Sequence, residues 1–218
     1  MERADEIVVL LHGIGCTPRS LGRIERRLRH AGFRTANIAY PSRRMNVAHL
    51  ADFVADVLKA RKLCEEGVRL HVVTHSMGGL VAAHLLDKHI PAARIGRVVM
   101  LAPPIGGSEV ADALSGLTLY NWFYGPAGLE LTTTSDVLAD IRVDYSLGII
   151  AGNGGWFYPS GRLWIAGAHD GRVSVERTRL AGMTDHLVLP LTHSLMPVSR
   201  RVQKQVLHFL ETGAFARS

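Results

Sequence analysis

The chain has 218 residues, 47% of them hydrophobic and 20% charged, and a formal charge of +6 carried mostly by arginine. Such a composition is too apolar for disorder and long enough to bury a core, and one domain over residues 1–218 is expected from the length. No apolar run approaches the roughly 18 residues of a membrane-spanning helix, which excludes an integral membrane protein of helical type.

In chain order, Met1–Glu6 lead at once into a strand-like run, Ile7–Leu11, with no secretory basic or apolar region ahead of it. A cytoplasmic protein is therefore expected, or a secreted one if a leader has been removed. The run ends in His12-Gly13-Ile14-Gly15. A dinucleotide G-x-G-x-x-G fails here because Pro18 stands at its third glycine, and no G-K-[ST] is present. A tight strand-to-helix turn and a loop whose N–H groups face a developing negative charge remain open. A helix is predicted over Arg19–His30. Its arginines 19, 23, 26, 27 and 29 could meet an anionic membrane surface peripherally, but no nucleic-acid-binding motif accompanies them, so no nucleic-acid partner is expected. Cys16 and Cys64 fit no C-x-x-C pattern, and reduced thiols are the simpler expectation over a disulfide between them.

Further strands are predicted at Thr35–Tyr40, Leu70–Thr74, Arg97–Ala102, Leu147–Gly152 and His186–Leu191, and further helices at Val47–Leu63, Met77–His89 and Pro197–Leu210. In the last helix Val198, Val202, Val206 and Leu210 form one apolar stripe, with Pro197 at its start and Gly213 at its stop. Apolar strands alternating with helices imply an α/β fold: a mainly parallel six-stranded sheet with helices on both faces. One stretch, about residues 105–158, breaks the alternation with a helical piece near Ser108–Leu114 and a dense run of aromatics. It reads as a short cap insertion. Tyr120, Trp122, Phe123, Tyr124, Trp156, Phe157 and Tyr158 are candidates for an apolar substrate wall or for a small accessory core.

The most informative segment is Leu70-His71-Val72-Val73-Thr74-His75-Ser76-Met77-Gly78-Gly79. A strand runs into Ser76 and a helix follows directly, the setting of a nucleophile elbow whose hydroxyl projects from the carboxyl end of the sheet. Thr74 replaces the first glycine of G-x-S-x-G, which a strand residue tolerates while its φ stays negative. A serine that only caps a helix is the plainer alternative. A nucleophilic serine needs a base and an orienting acid, which follow it in the order acid then histidine. His186 would open the last strand at the wrong end of the sheet and His208 falls within the last helix, so His193, just past the strand's carboxyl end, is the candidate base. Asp136, Asp140 and Asp144 come too early and Asp185 too near the wrong end. That leaves Asp170, although an Asp-Gly pair is also a common turn former.

Taken together, Leu11-His12-Gly13-Ile14-Gly15, Thr74-His75-Ser76-Met77-Gly78-Gly79, Asp170-Gly171 and Thr192-His193-Ser194 resemble the small α/β-hydrolase lipases and esterases, in particular lidless bacterial lipases. The resemblance spans Ile7–Leu210 and weakens over Ile105–Trp164. It implies the α/β-hydrolase fold and a serine hydrolase cleaving carboxylic esters through Ser76, His193 and Asp170, with the N–H groups of Ile14 and Met77 as the oxyanion hole. It implies no cofactor and no metal. The expected substrate is a small-molecule or lipid ester of short to medium chain. A thioesterase, peptidase or acyltransferase could use the same residues, and a non-catalytic binding protein of this fold is the remaining rival.

Overall fold

The computed structural model describes residues 5–217 apart from 64, 139, 140 and 142, and the side chains of these residues save 119–121, 123, 157, 159, 160 and 162. Cys64 and Asp140 thus lie outside the described residues. Six strands form one sheet: β1 (Glu6–Leu11), β2 (Arg34–Ile38), β3 (Arg69–His75), β4 (Ile95–Leu101), β5 (Leu147–Gly152) and β6 (Asp185–Leu189). Their spatial order is β2-β1-β3-β4-β5-β6, and every neighbouring pair is parallel.

The helices are α1 (Gly22–His30), α2 (Val47–Ala60), α3 (Gly78–His89), α4 (Glu109–Ser115), α5 (Thr118–Leu129), α6 (Pro159–Trp164) and α7 (Arg200–Thr212). Successive strand residues feed opposite faces, as the two-residue period of a strand requires. Ile7, Val9, Leu11, Leu70, Val72, Val98 and Met100 pack with α2 and α3. Val8, Leu10, Val73, Val99 and Leu101 pack with α1 and α7 on the other side. Both faces of the sheet are covered, which is why its strands read as continuous apolar runs. From β1 the chain moves one way to β2 and then returns past β1 to β3, reversing its direction along the sheet. Right-handed crossovers in opposite directions place their helices on opposite faces, and the reversal leaves a crevice where the carboxyl ends of β1 and β3 diverge.

Most element boundaries differ from the sequence expectation by one to three residues, and two of them have a plain cause in proline. The last strand ends at Leu189 rather than Leu191: Pro190 has no N–H to donate, and the Leu191 N–H turns back to the Leu189 carbonyl at 2.7 Å. Likewise Pro197 does not open the last helix. It lies in a 3-10 segment over His193–Val198, and α7 starts after Ser199, whose hydroxyl accepts from the Val202 N–H. Within the stretch of about residues 105–158, β5 falls at the expected residues, and the chain's excursion from the sheet lies in two parts, α4 and α5 before that strand and α6 after it. Gly213 ends α7 with φ 85°, the left-handed stop its position suggested.

Candidate active site

Ser76 stands at the crevice between β1 and β3. Its N–H donates to the Leu101 carbonyl at 2.8 Å, which ties the turn to β4, and its φ of 55° is left-handed. For a residue with a side chain that conformation costs about 1–2 kcal/mol, and here it turns the chain from strand to helix within one residue. Thr74 stays on β3 and is fully buried; its φ is not positive, so the missing glycine of the motif leaves no strain. The glycine that matters is Gly78. A Cβ there would lie 2.4 Å from the Leu11 carbonyl oxygen and 2.8 Å from that of His12. Only hydrogen at that position lets α3 begin against the end of β1.

Asp170 and His193 arrive from the loops after β5 and β6. Asp170 is 1% exposed and His193 3%, and Oδ2 of the carboxylate accepts from His193 Nδ1 at 2.7 Å. An ionised carboxylate only accepts, so Nδ1 carries the ring proton and Nε2 is the acceptor nitrogen. Oδ1 accepts from the N–H groups of Arg172 and Val173, each at 2.9 Å. The turn-forming role and the histidine-orienting contact thus occupy different oxygens of one side chain. Burial alone would raise this carboxyl, but the His193 ring and the two N–H donors outweigh it and hold it below the usual carboxylate range. His193 is fixed further by its own N–H, which donates to the Asp170 carbonyl at 2.9 Å.

A glycine-rich segment after β5 lets these loops close in. A Cβ on Gly152 would meet the Leu191 carbonyl oxygen at 2.5 Å and Asp170 Cβ at 2.8 Å, and one on Gly155 would meet the Gly171 nitrogen at 2.2 Å. The run Gly152-Asn153-Gly154-Gly155 carried this signal in the sequence. His75 is a second residue that sequence reasoning passed over. Its Nε2–H donates to the His193 carbonyl at 3.1 Å, and the two rings lie 4.8 Å apart between centroids. Burial, with a smaller contribution from His193, pushes His75 down to about 3, so the ring is neutral and acts as a strut beneath the His193 backbone.

The Ile14 and Met77 N–H groups donate to no acceptor among the described residues. Ile14 lines the crevice beside Ser76, while Met77 is fully buried at the entrance to α3. The β1 loop that carries Ile14 is braced by Tyr40, which stacks on His12 at 4.3 Å and whose hydroxyl donates to the His12 carbonyl. Gly15 N–H adds a bond to Ser42 Oγ at 3.1 Å.

A cavity of about 230 Å³ opens at Ser76 and His193, with an aliphatic wall from Val110, Ala111, Leu114 and Leu131. Of the aromatics expected there, Tyr124 and Tyr158 line it. Trp122 and Trp156 do not; they are 80% and 64% exposed. The side chains of Tyr120, Phe123 and Phe157 lie outside the described residues. Among the described residues the wall is mainly aliphatic rather than aromatic, because α4, capped by Ser108, presents Val110, Ala111 and Leu114 to the cavity. His186 and Asp185 sit at the opposite end of the sheet, bonded to Thr178 Oγ1 at 3.0 Å and to Phe215 N–H at 2.9 Å respectively. Cys16 is a free, exposed thiol.

A doubly covered parallel sheet, with a strained serine at its reversal point and a carboxylate-bound histidine delivered by the loops after β5 and β6, defines the α/β-hydrolase class of fold. The chain belongs to the alpha/beta hydrolase family, whose model matches residues 8–208. No curated protein matches it by sequence. Among solved structures it is similar to a lipase of Bacillus licheniformis in mature form, at 20% identity over 96% of this chain and 92% of that one, with a TM-score of 0.74. It is also similar to a carboxyl esterase of metagenomic origin, at 20% identity over 87% of this chain and 65% of that one, with a TM-score of 0.72. At such identities the likeness is one of fold. Among the described residues no helix is long and apolar enough to cross a membrane.

Proposed function

We propose that the protein is a serine hydrolase of carboxylic esters with Ser76 as nucleophile. The observation that carries this reading is the pairing of a serine strained at φ 55° with a histidine that shares its cavity and is held by a buried carboxylate at 2.7 Å. Backbone strain at a cavity mouth persists only where surrounding structure enforces it, and it concentrates at reacting groups.

In the proposed reaction Ser76 Oγ attacks the ester carbonyl carbon while its proton passes to His193 Nε2. Asp170 holds the tautomer and stabilises the imidazolium. The unpaired N–H groups of Ile14 and Met77 receive the oxyanion, each such donor being worth about 2.7–4 kcal/mol. Collapse of the tetrahedral intermediate expels the alcohol, which takes the proton from His193. Water, deprotonated by His193, then attacks the acyl-enzyme, and release of the carboxylic acid restores Ser76. At about 230 Å³ the cavity is smaller than the roughly 300–1,000 Å³ of pockets for drug-sized ligands, which supports short to medium acyl chains. A cytoplasmic location remains part of the proposal.

The test combines a fluorophosphonate probe with a panel of p-nitrophenyl esters, acyl-thioesters and peptides. The reading expects labelling of the wild type but not of Ser76→Ala, and fastest turnover on the oxygen esters. Absence of labelling in a folded wild type overturns it in favour of a binding protein, and thioesters or peptides turned over faster would reassign the acyl chemistry.

A further inference from the structure

A second cavity, of about 190 Å³, also opens at Ser76, its further lining including Gly13, Cys16, Ser20, Ser194, Pro197 and Val198. Four residues belong to both cavities: Ile14, Ser76, Arg172 and His193. Arg172 is the one lining residue with a fixed charge among those described. Its backbone is pinned on both sides, the N–H donating to Asp170 Oδ1 at 2.9 Å and the carbonyl accepting from Ser108 Oγ at 2.6 Å. The guanidinium has neither a carboxylate nor a hydrogen-bond acceptor among the described residues. Arg177, five positions on, shows the contrast: its Nε meets Glu109 at 2.6 Å and its Nη1 the Gly106 carbonyl. Burial dominates the protonation of both His75 and Cys16, and the Arg172 charge acts on each as a smaller, separate influence. Its field therefore reaches the second cavity.

An unpaired guanidinium beside a nucleophile is a fork for carboxylate or phosphate oxygens. The first cavity, walled mainly by aliphatic side chains with Ser108, Tyr124 and Tyr158 beside them, suits an acyl chain. The second carries the hydroxyl of Ser194 and that of Ser20, which donates to the Thr17 carbonyl at 2.8 Å. We propose that Arg172 selects esters whose alcohol part bears a carboxylate or phosphate, seated in the second cavity while the acyl chain fills the first. This rests on the ester-hydrolase reading above and adds the substrate class to it.

Two matched pairs of butanoate esters test the proposal on the full chain. One pair is 4-(carboxymethyl)phenyl butanoate and its uncharged carboxamide counterpart; the other is butanoylglycerol phosphate and butanoylglycerol. The readout is the ratio of kcat/KM for the charged over the neutral member within each protein, which cancels any general loss of activity. The wild type should favour the charged member by about 10–100-fold on at least one pair, and the pair with the larger ratio names the anion. Arg172→Gln should bring the ratio close to one, Arg172→Lys should retain part of it, and Arg172→Glu should invert it. Wild-type turnover of the neutral esters with ratios near one on both pairs overturns the role of Arg172 and leaves ester hydrolysis standing. So does a ratio that survives Arg172→Gln. If none of the four esters is turned over and the fluorophosphonate fails to label Ser76, the hydrolase reading itself falls, and this inference with it.

Discussion

Replacing Gly78 by alanine tests whether the close approach of α3 to β1 sets the geometry around Ser76. The added methyl would sit 2.4 Å from the Leu11 carbonyl oxygen, where an ordinary contact starts at 3.4 Å. Both neighbours are main chain, in Leu11 and His12, so no side chain can swing aside. The helix must withdraw by about 1 Å, carrying Met77 and Ser76 away from the loop that holds Ile14. Overpacking of this kind costs about 3 kcal/mol at the upper end of its usual range. In a chain of this size that corresponds to a Tm lower by about 6–12 °C. Misplacement of a reacting group by 1 Å lowers kcat by about 100-fold. Gly22→Ala is the control: it too opens a helix, at φ −60°, and a Cβ there meets nothing within 4 Å. It should leave kcat unchanged and raise stability by up to about 1 kcal/mol, the gain of alanine over glycine in a helix. Thermal unfolding followed by circular dichroism, with initial rates on p-nitrophenyl butanoate, measures both quantities. A Gly78→Ala protein with wild-type Tm and wild-type kcat would falsify the reasoning.

Four further outcomes are expected. Asp170→Asn should lower kcat by about 10⁴, and His193→Ala by about 10⁶; single-turnover rates that rank the two in reverse would remove Asp170 from its orienting role. Ser76→Gly relieves a left-handed φ, so chemical denaturation should show it more stable than wild type by about 1 kcal/mol while hydrolysis is lost; a less stable variant would mean that the turn is not strained. His75 is buried and depressed to about 3, whereas in the unfolded chain it protonates near ~6.5. The unfolded state therefore binds more protons between those values, and stability falls as pH drops through that window. Burial depresses His12, His71, His84 and His186 in the same direction. His75→Gln should flatten the stability slope between pH 6.5 and 4.5 by up to about 1.4 kcal/mol per pH unit, and an unchanged slope in urea titrations would show that His75 is charged when folded. On p-nitrophenyl esters of two to sixteen carbons, kcat/KM should rise by about 0.8 kcal/mol of transition-state binding per CH₂ and peak early; a jump at the substrate's solubility limit would mean that α4 and α5 act as a lid.

Composition and periodicity determined the sheet. Strands buried on both faces have no polar side to show, so Ile7–Leu11, Leu70–Thr74 and Leu147–Gly152 stood out as apolar runs, and the stripe of α7 was legible because helical spacing recurs every turn. Chain position alone also set Ser76, Asp170 and His193 at loops of one sheet end, since in a parallel sheet every strand's carboxyl end faces the same way. What the local pattern could not carry is which loops meet. The support of His193 by His75 joins residues 118 apart in sequence, and the seat of the Asp170 loop is a row of glycines whose meaning lies in what approaches them. Aromatic density over residues 118–164 suggested a wall, yet Trp122 and Trp156 face solvent and α4 supplies the cavity lining, because which face of a short helix turns inward is settled by its packing partners. Arg172 carried no signal in the sequence; it is exposed, and only folding places it at both cavities beside Ser76, with Glu109 turned toward Arg177 instead.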